Sequence, residues 1–195
     1  MKSDILELIK KTGAVRKFKD EALSKEELEQ ILEAGRWGLS ILGIQPWRFV
    51  TIENASLITN IANLVFETSK KIDKPFSLIL KLTSTTIKNS KALIVVYNNK
   101  KVFERTRKYG KTYLDRARMA ELQCIGGAIQ NMILEANSIG VGCTWLDSPT
   151  FFNEQAINKV INQGGEIVAI LSLGYPAETA RRSKRAEYND MIEGM

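Results

Sequence analysis

Three stretches hold the residues whose types and spacing could do chemistry. RRSKR at 181–185 is the densest basic cluster in the chain, and the formal net charge is +6. Such a balance hints at an anionic ligand without naming one, and solubility is its plainer use. LSILGIQPWRF at 39–49 places Pro46 and Trp47 between a helix-like stretch and a strand-like run. Two readings stand: Pro46 stops the helix and Trp47 fills the core, or the junction is one wall of a cofactor pocket. Gly126 and Gly127 lie together inside a long helical pattern, where each costs about 1 kcal/mol relative to alanine. Glycines so placed mark the close approach of another backbone or a ligand.

What is missing narrows the chemistry further. The chain has no histidine, which removes Ser-His-Asp and Cys-His catalysis and every His-ligated metal centre. Cys124 and Cys143 are the two cysteines, without a CxxC spacing; neither a disulfide framework nor a metal site is expected, and both read as small buried apolar residues. Neither GxxxxGK[ST] nor GxGxxG occurs, so no P-loop or Rossmann site is supported. If the chain is an enzyme, a borrowed cofactor supplies its chemistry. The basic residues are not interleaved with aromatics in a recognisable motif, so no nucleic-acid partner is expected. ALIVVY at 92–97 is far too short to span a bilayer. The N-terminal MKSDILELIKK reads as an amphipathic helix and not a signal peptide, and a cytoplasmic chain with reduced thiols is expected.

The elements that would position these residues follow from periodicity. Ser24 and Glu27 form a capping box ahead of Leu28, Ile31, Leu32 and Gly35 at helical spacing. WRFVTIE at 47–53 alternates and is rich in β-branched and aromatic residues, so it reads as a strand. Residues 55–66 and 76–89 read as helices, and ALIVVYN as a strand covered on both faces. The charged stretch 100–114 is weakly periodic and reads as a mobile, lid-like segment. A long helix is expected over 115–138, with Leu122, Ile125, Ile129, Met132, Ile133 and Ala136 on its apolar side. VGCTWL and EIVAILSL read as strands with a helix near 153–162 between them. The alternation implies a sheet with helices on both faces. No linker divides the 195 residues, so a single domain over 1–195 is expected.

Four segments, in order, resemble the FMN-dependent nitroreductase family. VRKFKDEALSKEELEQILEAGRWG is similar to its R-x-F/Y segment and capped helix, and SILGIQPWRFVTI to its S-x-x-N-x-Q-P-W-x-F turn and strand. AIQNMILEANSIGVGCTWL resembles A-x-Q-N-L-L-L-x-A-x-x-x-G-x-G-x-x-W. AILSLGYPAE with RRSKR resembles the L-x-L-G-Y-P-x-E ending and cationic tail. The resemblance implies an α+β fold, a three-layer α/β/α sandwich around a central mixed sheet, in an intertwined homodimer. FMN would lie at the subunit interface. NADH or NADPH would reduce it and leave, and a nitroaromatic, quinone or other electron-poor acceptor would then take the electrons.

Carried over residue by residue, Arg16 matches the cation near the flavin pyrimidine, where a fixed positive charge stabilises the negative charge that reduction builds. Ser40, Gly43 and Gln45 match the turn beside the ring and ribityl chain. Trp145, Leu146 and Asp147 match the segment whose backbone N–H faces flavin N5, with Asp147 acting through its peptide. Lys184 and Arg185 match the basic tail that pairs with the phosphate. Trp47 matches a family tryptophan, with core packing as its own expected role.

Two departures from the family pattern stand out. The phosphate clamp R-[RH]-S-x-[RK] is replaced by Thr12-Gly13-Ala14-Val15-Arg16, and Gly43 stands in place of asparagine. Losing one charge-assisted bond costs ~1.5–3 kcal/mol, a ten- to hundredfold loss of affinity. A second reading therefore stays open: a non-catalytic dimer of the same fold that binds FMN weakly or takes another small anionic ligand.

Overall fold

The computed structural model describes residues 4–192 and Gly194; Met1, Lys2 and Ser3 of the expected N-terminal helix lie outside them. The chain forms α1 (Asp4–Lys11), α2 (Lys25–Arg36), a 3-10 turn (Ile41–Gly43), β1 (Trp47–Ile52), α3 (Ala55–Ser69) and α4 (Phe76–Asn89). It continues through β2 (Ala92–Asn98), α5 (Lys101–Thr106), a second 3-10 turn (Arg107–Tyr109), α6 (Lys111–Ser138), β3 (Gly142–Leu146), α7 (Ser148–Val160) and β4 (Glu166–Gly174). The α2 capping box forms in full, with the Glu27 N–H donating to Ser24 Oγ at 3.1 Å and the Ser24 N–H to Glu27 Oε2 at 2.8 Å.

The sheet order is β1-β2-β4-β3. Strand β2 is buried along its whole length, as its unbroken apolar run requires. Ile94 and Val96 face one core with Leu28 and Ile31 of α2 and Ile125, Ile129 and Met132 of α6. Leu93, Val95 and Tyr97 face the other with Ile58, Ile61 and Val65 of α3, Leu80 and Ile87 of α4, and Ile157 of α7. The two-residue strand period thus fills both cores from one strand, giving three layers.

The resemblance implied a mixed sheet, but every described ladder is antiparallel. The α3–α4 hairpin returns the chain to the end of the sheet that β1 has just reached, so β2 enters antiparallel beside it. Strands β2 and β3 do run the same way, and β4, last in sequence, is inserted between them.

Three further expectations change. The stretch 100–114 is helical: α5, the second 3-10 turn and the beginning of α6. Its periodicity is weak because few residues anchor it: Val102 packs with Ile44 and Ala117, and the Phe103 N–H donates to Glu121 Oε1 at 2.8 Å. Helix α7 begins at Ser148, because Pro149 in its first turn has no N–H to lose. Gly126 and Gly127 are not pressed by their own chain. A Cβ at Gly126 would meet only the edge of Trp145 at 3.9 Å, and one at Gly127 nothing within 4 Å. Gly35 and Gly38 make the close approach instead, where a Cβ would meet Met132 at 2.8 Å and Ala128 at 2.9 Å and would force α6 away.

Candidate functional site

The site is built around β3, an edge strand, and residues 14–16 that lie along it. Val15 is buried; its N–H donates to the Cys143 carbonyl at 3.1 Å, and its own carbonyl accepts from the Thr144 hydroxyl. In extended backbone, neighbours of an inward residue point outward. Ala14 and Arg16 accordingly line a cleft of about 520 Å³ together with Thr12, Gly13, Trp145 and Arg185. Its apolar wall is Ile9, Ile133 and Leu134, and Gln130 and Thr144 add polar groups. A hollow of about 190 Å³ shares Arg16 and Trp145 and adds Leu146 and Asp147 with Ile79, Leu82, Thr83 and Thr86 of α4.

Among the described residues, no hydrogen bond or ion pair engages the guanidinium of Arg16 or of Arg185. Two free cations therefore border one part-apolar cleft, a donor set suited to an aromatic anion. The 12–14 segment contributes less. Thr12 donates its hydroxyl to the Leu8 carbonyl at 2.9 Å, and Ala14 commits its N–H to the Arg181 carbonyl at 3.0 Å. Gly13 has a packing reason: a Cβ there would lie 2.7 Å from the Arg181 carbonyl oxygen and 2.8 Å from Arg182 Cγ. Burial pushes the Cys143 thiol up to about 12, so this cleft residue stays a neutral thiol.

Asp147 immediately precedes α7. Its carbonyl accepts from the Thr150 N–H at 2.9 Å and hydroxyl at 2.7 Å, its side chain caps nothing, and its N–H has no partner among the described residues. Lys184 is exposed and does not line the cleft.

Ser40, Gly43 and Gln45 are not brought to this cleft. Their turn precedes β1, at the opposite edge of the sheet from β3. It sits against α6, with the Ile41 N–H donating to Cys124 Sγ at 3.3 Å, and Asn99 Nδ2 donates to the Gln45 carbonyl at 3.0 Å. Leu42, Gly43 and Gln45 have φ of 50°, 66° and 51°, left-handed conformations on either side of Ile44 that store strain at the two non-glycine positions. Trp37, Leu39 and Leu42 around it are 70%, 91% and 86% exposed. Trp47 is buried and stacks on Phe49 at 6.5 Å, so the core reading of that residue holds.

Sequence reading assigns Ile133 to the apolar side of the long helix and does not single out Gln130, Leu134 or the α4 residues. Both sets carry a signal: i, i+3, i+4 spacing beside the core stripe of α6, and i, i+3, i+4, i+7 over Ile79, Leu82, Thr83 and Thr86.

The profile of the Nitroreductase family matches residues 9–175. The chain belongs to the Nitroreductase family. Among relatives of this nitroreductase-family chain, the Bacillus subtilis protein YfhC, provisionally named an NAD(P)H nitroreductase, is 25% identical over 99% of this chain and 95% of its own. A BluB-like flavoprotein from Clostridium difficile superposes with a TM-score of 0.79 at 23% identity over all of both chains. A nitroreductase with bound FMN from Bacteroides fragilis gives 0.76 at 20% identity, again over all of both chains. The α/β/α fold is thus that of the family.

Proposed function

We propose that this chain is a flavin-dependent oxidoreductase that binds FMN in the Arg16–Arg185 cleft and uses NADH or NADPH to reduce nitroaromatic, quinone or similar electron-poor acceptors. The carrying observation is the pair of guanidinium groups, without a partner among the described residues, that border a cleft with Trp145 and an apolar wall. Family membership and the solved relative with bound FMN support it. When bound, FMN supplies the two-electron chemistry.

The chain's residues bind and orient. Arg185, with Lys184 beside it in sequence, neutralises the phosphate in place of the missing clamp arginine and serine. Arg16 stabilises negative charge at the flavin N1/O2 edge. The free N–H of Asp147 is a donor for N5. Trp145 and Leu146, with Ile133 and Leu134, exclude water from the ring.

The functional unit in this proposal is a cytoplasmic homodimer. The Ser40–Gln45 turn lies at the sheet edge opposite its own cleft and is surrounded by exposed apolar side chains, so it serves the cleft of a second copy. The exposed Ile5, Leu6 and Ile9 of α1 and the open surface at Gly126 and Gly127 give further apolar area for that contact.

The test is steady-state oxidation of NADH and of NADPH by FMN-loaded protein with a quinone and a nitroaromatic. Parallel double-reciprocal lines are expected, as for a donor that leaves before the acceptor binds. Bound FMN with no electron transfer to any acceptor would favour the non-catalytic dimer, which the altered Thr12–Ala14 stretch and Gly43 keep as the competing reading.

A further inference from the structure

The backbone around Arg16 is held by a second chain segment. Residues 14–19 run antiparallel to residues 175–181. Ala14 and Arg181 exchange both backbone bonds, at 3.0 and 2.8 Å, while the Lys19 N–H donates to the Tyr175 carbonyl at 2.8 Å and the Ala177 N–H to the Lys17 carbonyl at 2.9 Å. Between these pairs no backbone carbonyl of the described residues accepts from Arg16. Its N–H donates instead to Oε1 of Glu178 at 2.9 Å. The Glu178 side chain is only 15% exposed, and its Oε2 lies 3.8 Å from Arg181 Nη2. The Arg16 N–H, with Arg181 and Lys17, holds the Glu178 carboxyl below the usual carboxylate range.

This bond fixes a direction. The neighbour Val15 is buried and bonded to Cys143 and Thr144 on the β3 side. With the Arg16 N–H tied to Glu178 as well, the peptide on each side of Val15 is set, and the Arg16 side chain leaves toward the cleft. The same segment continues into Arg185, the other cation bordering the cleft.

We propose that Glu178 is a positioning residue for Arg16: its carboxyl group stands in for a missing backbone acceptor and sets the guanidinium in the cleft in register with the basic tail. The proposal rests on the flavin reading for its ligand but not for its geometry. Glutamine at 178 would keep an acceptor for the Arg16 N–H; alanine would not.

The experiment compares full-length wild type, Glu178→Gln, Glu178→Ala, Arg16→Ala and the Glu178→Ala/Arg16→Ala double variant. Amide hydrogen exchange, without added ligand, is read over residues 14–18, and the Kd and midpoint potential of added FMN are read in parallel. Glu178→Ala should speed exchange at Arg16 by about tenfold or more, with exchange in β2 and β4 unchanged, and Glu178→Gln should restore most of the protection. FMN affinity should fall about tenfold in Glu178→Ala. A tenfold smaller preference for reduced flavin would move the two-electron potential about 30 mV more negative. In the Arg16→Ala background, Glu178→Ala should change the potential no further, since it acts through Arg16.

Unchanged exchange at Arg16 in Glu178→Ala would overturn the proposal, as would an effect on potential that adds to that of Arg16→Ala. If the wild type binds no FMN, the flavin reading fails, and the exchange comparison still decides whether Glu178 holds Arg16.

Discussion

Two charged clusters lie at different places on the sheet, and they differ in what their charges are left to do. Where β2 ends and β4 begins, Lys100, Phe103, Arg118, Glu121 and Glu166 surround a hollow of about 190 Å³. There the groups satisfy one another. Both oxygens of the 1%-exposed Glu121 accept, from Asn98 Nδ2 at 2.9 Å and the Phe103 N–H at 2.8 Å. Arg118 meets Glu166 at 2.6 Å and Lys100 meets it at 3.7 Å. At the β3 edge, by contrast, Arg16 and Arg185 border a cleft without partners among the described residues. A closed cluster holds elements together, whereas an open one keeps its interaction energy for a ligand. Charge alone does not separate them; the pattern of satisfied bonds does.

That contrast can be broken most forcefully at Glu121. Glu121→Ala removes the acceptor of the part-buried Phe103 N–H and leaves the buried Asn98 amide only its 3.4 Å bond to Glu166 Oε2, and should cost ~2–4 kcal/mol. Urea denaturation should show the loss, with a melting temperature lower by roughly 5–15 °C. A variant as stable as wild type would mean that the cluster does not hold α5 and α6.

Arg185→Ala should do the reverse. Its guanidinium is free, so stability should stay within about 0.5 kcal/mol. FMN affinity, measured by quenching of flavin fluorescence, should fall ten- to hundredfold. Equal affinity would remove the tail from the phosphate site.

The division between what could and could not be read from sequence follows locality. The α2 cap and the β2 strand were legible because each depends on a few adjacent residues: Ser24 with Glu27, and an apolar run flanked by polar residues. The helical nature of 100–114 was not, since it depends on Val102 meeting Ile44 and on Glu121 reaching back to Phe103. For the site, the motif stretches named Thr12–Ala14, Arg16, Trp145–Asp147 and Arg185, which the fold brings around one cleft and the hollow beside it. They also included Ser40, Gly43 and Gln45, which the strand order puts at the far edge; no short motif encodes that order. Glu178 ends the LGYPAE segment, but its bond to the Arg16 N–H joins residues far apart in sequence.

Two smaller effects sharpen the same contrast through proton chemistry. The folded-state pKa values of Glu178 and Glu27 are lowered, chiefly by the Arg16 N–H and by the Ser24 N–H. A depressed carboxyl value means that the associated stability is complete above the unfolded value near 4.5 and fades as pH falls through the lowered folded values. Denaturant midpoints should therefore be flat from neutral pH down to about 5 and decline below the unfolded value. For the cysteines, a thiol raised to about 12 has almost no thiolate at pH 8. Cys143 should resist a thiol reagent in the native protein and react once the chain is denatured, as read by mass spectrometry; rapid native labelling would contradict its burial.

The most direct measurement is titration of the flavin-free chain with FMN, following flavin fluorescence and melting temperature together. One FMN per chain is predicted. At about a hundredfold excess over Kd, stabilisation should be ~2.7 kcal/mol, a rise of roughly 5–10 °C. Unquenched fluorescence and an unmoved melting temperature at saturating FMN would contradict the account.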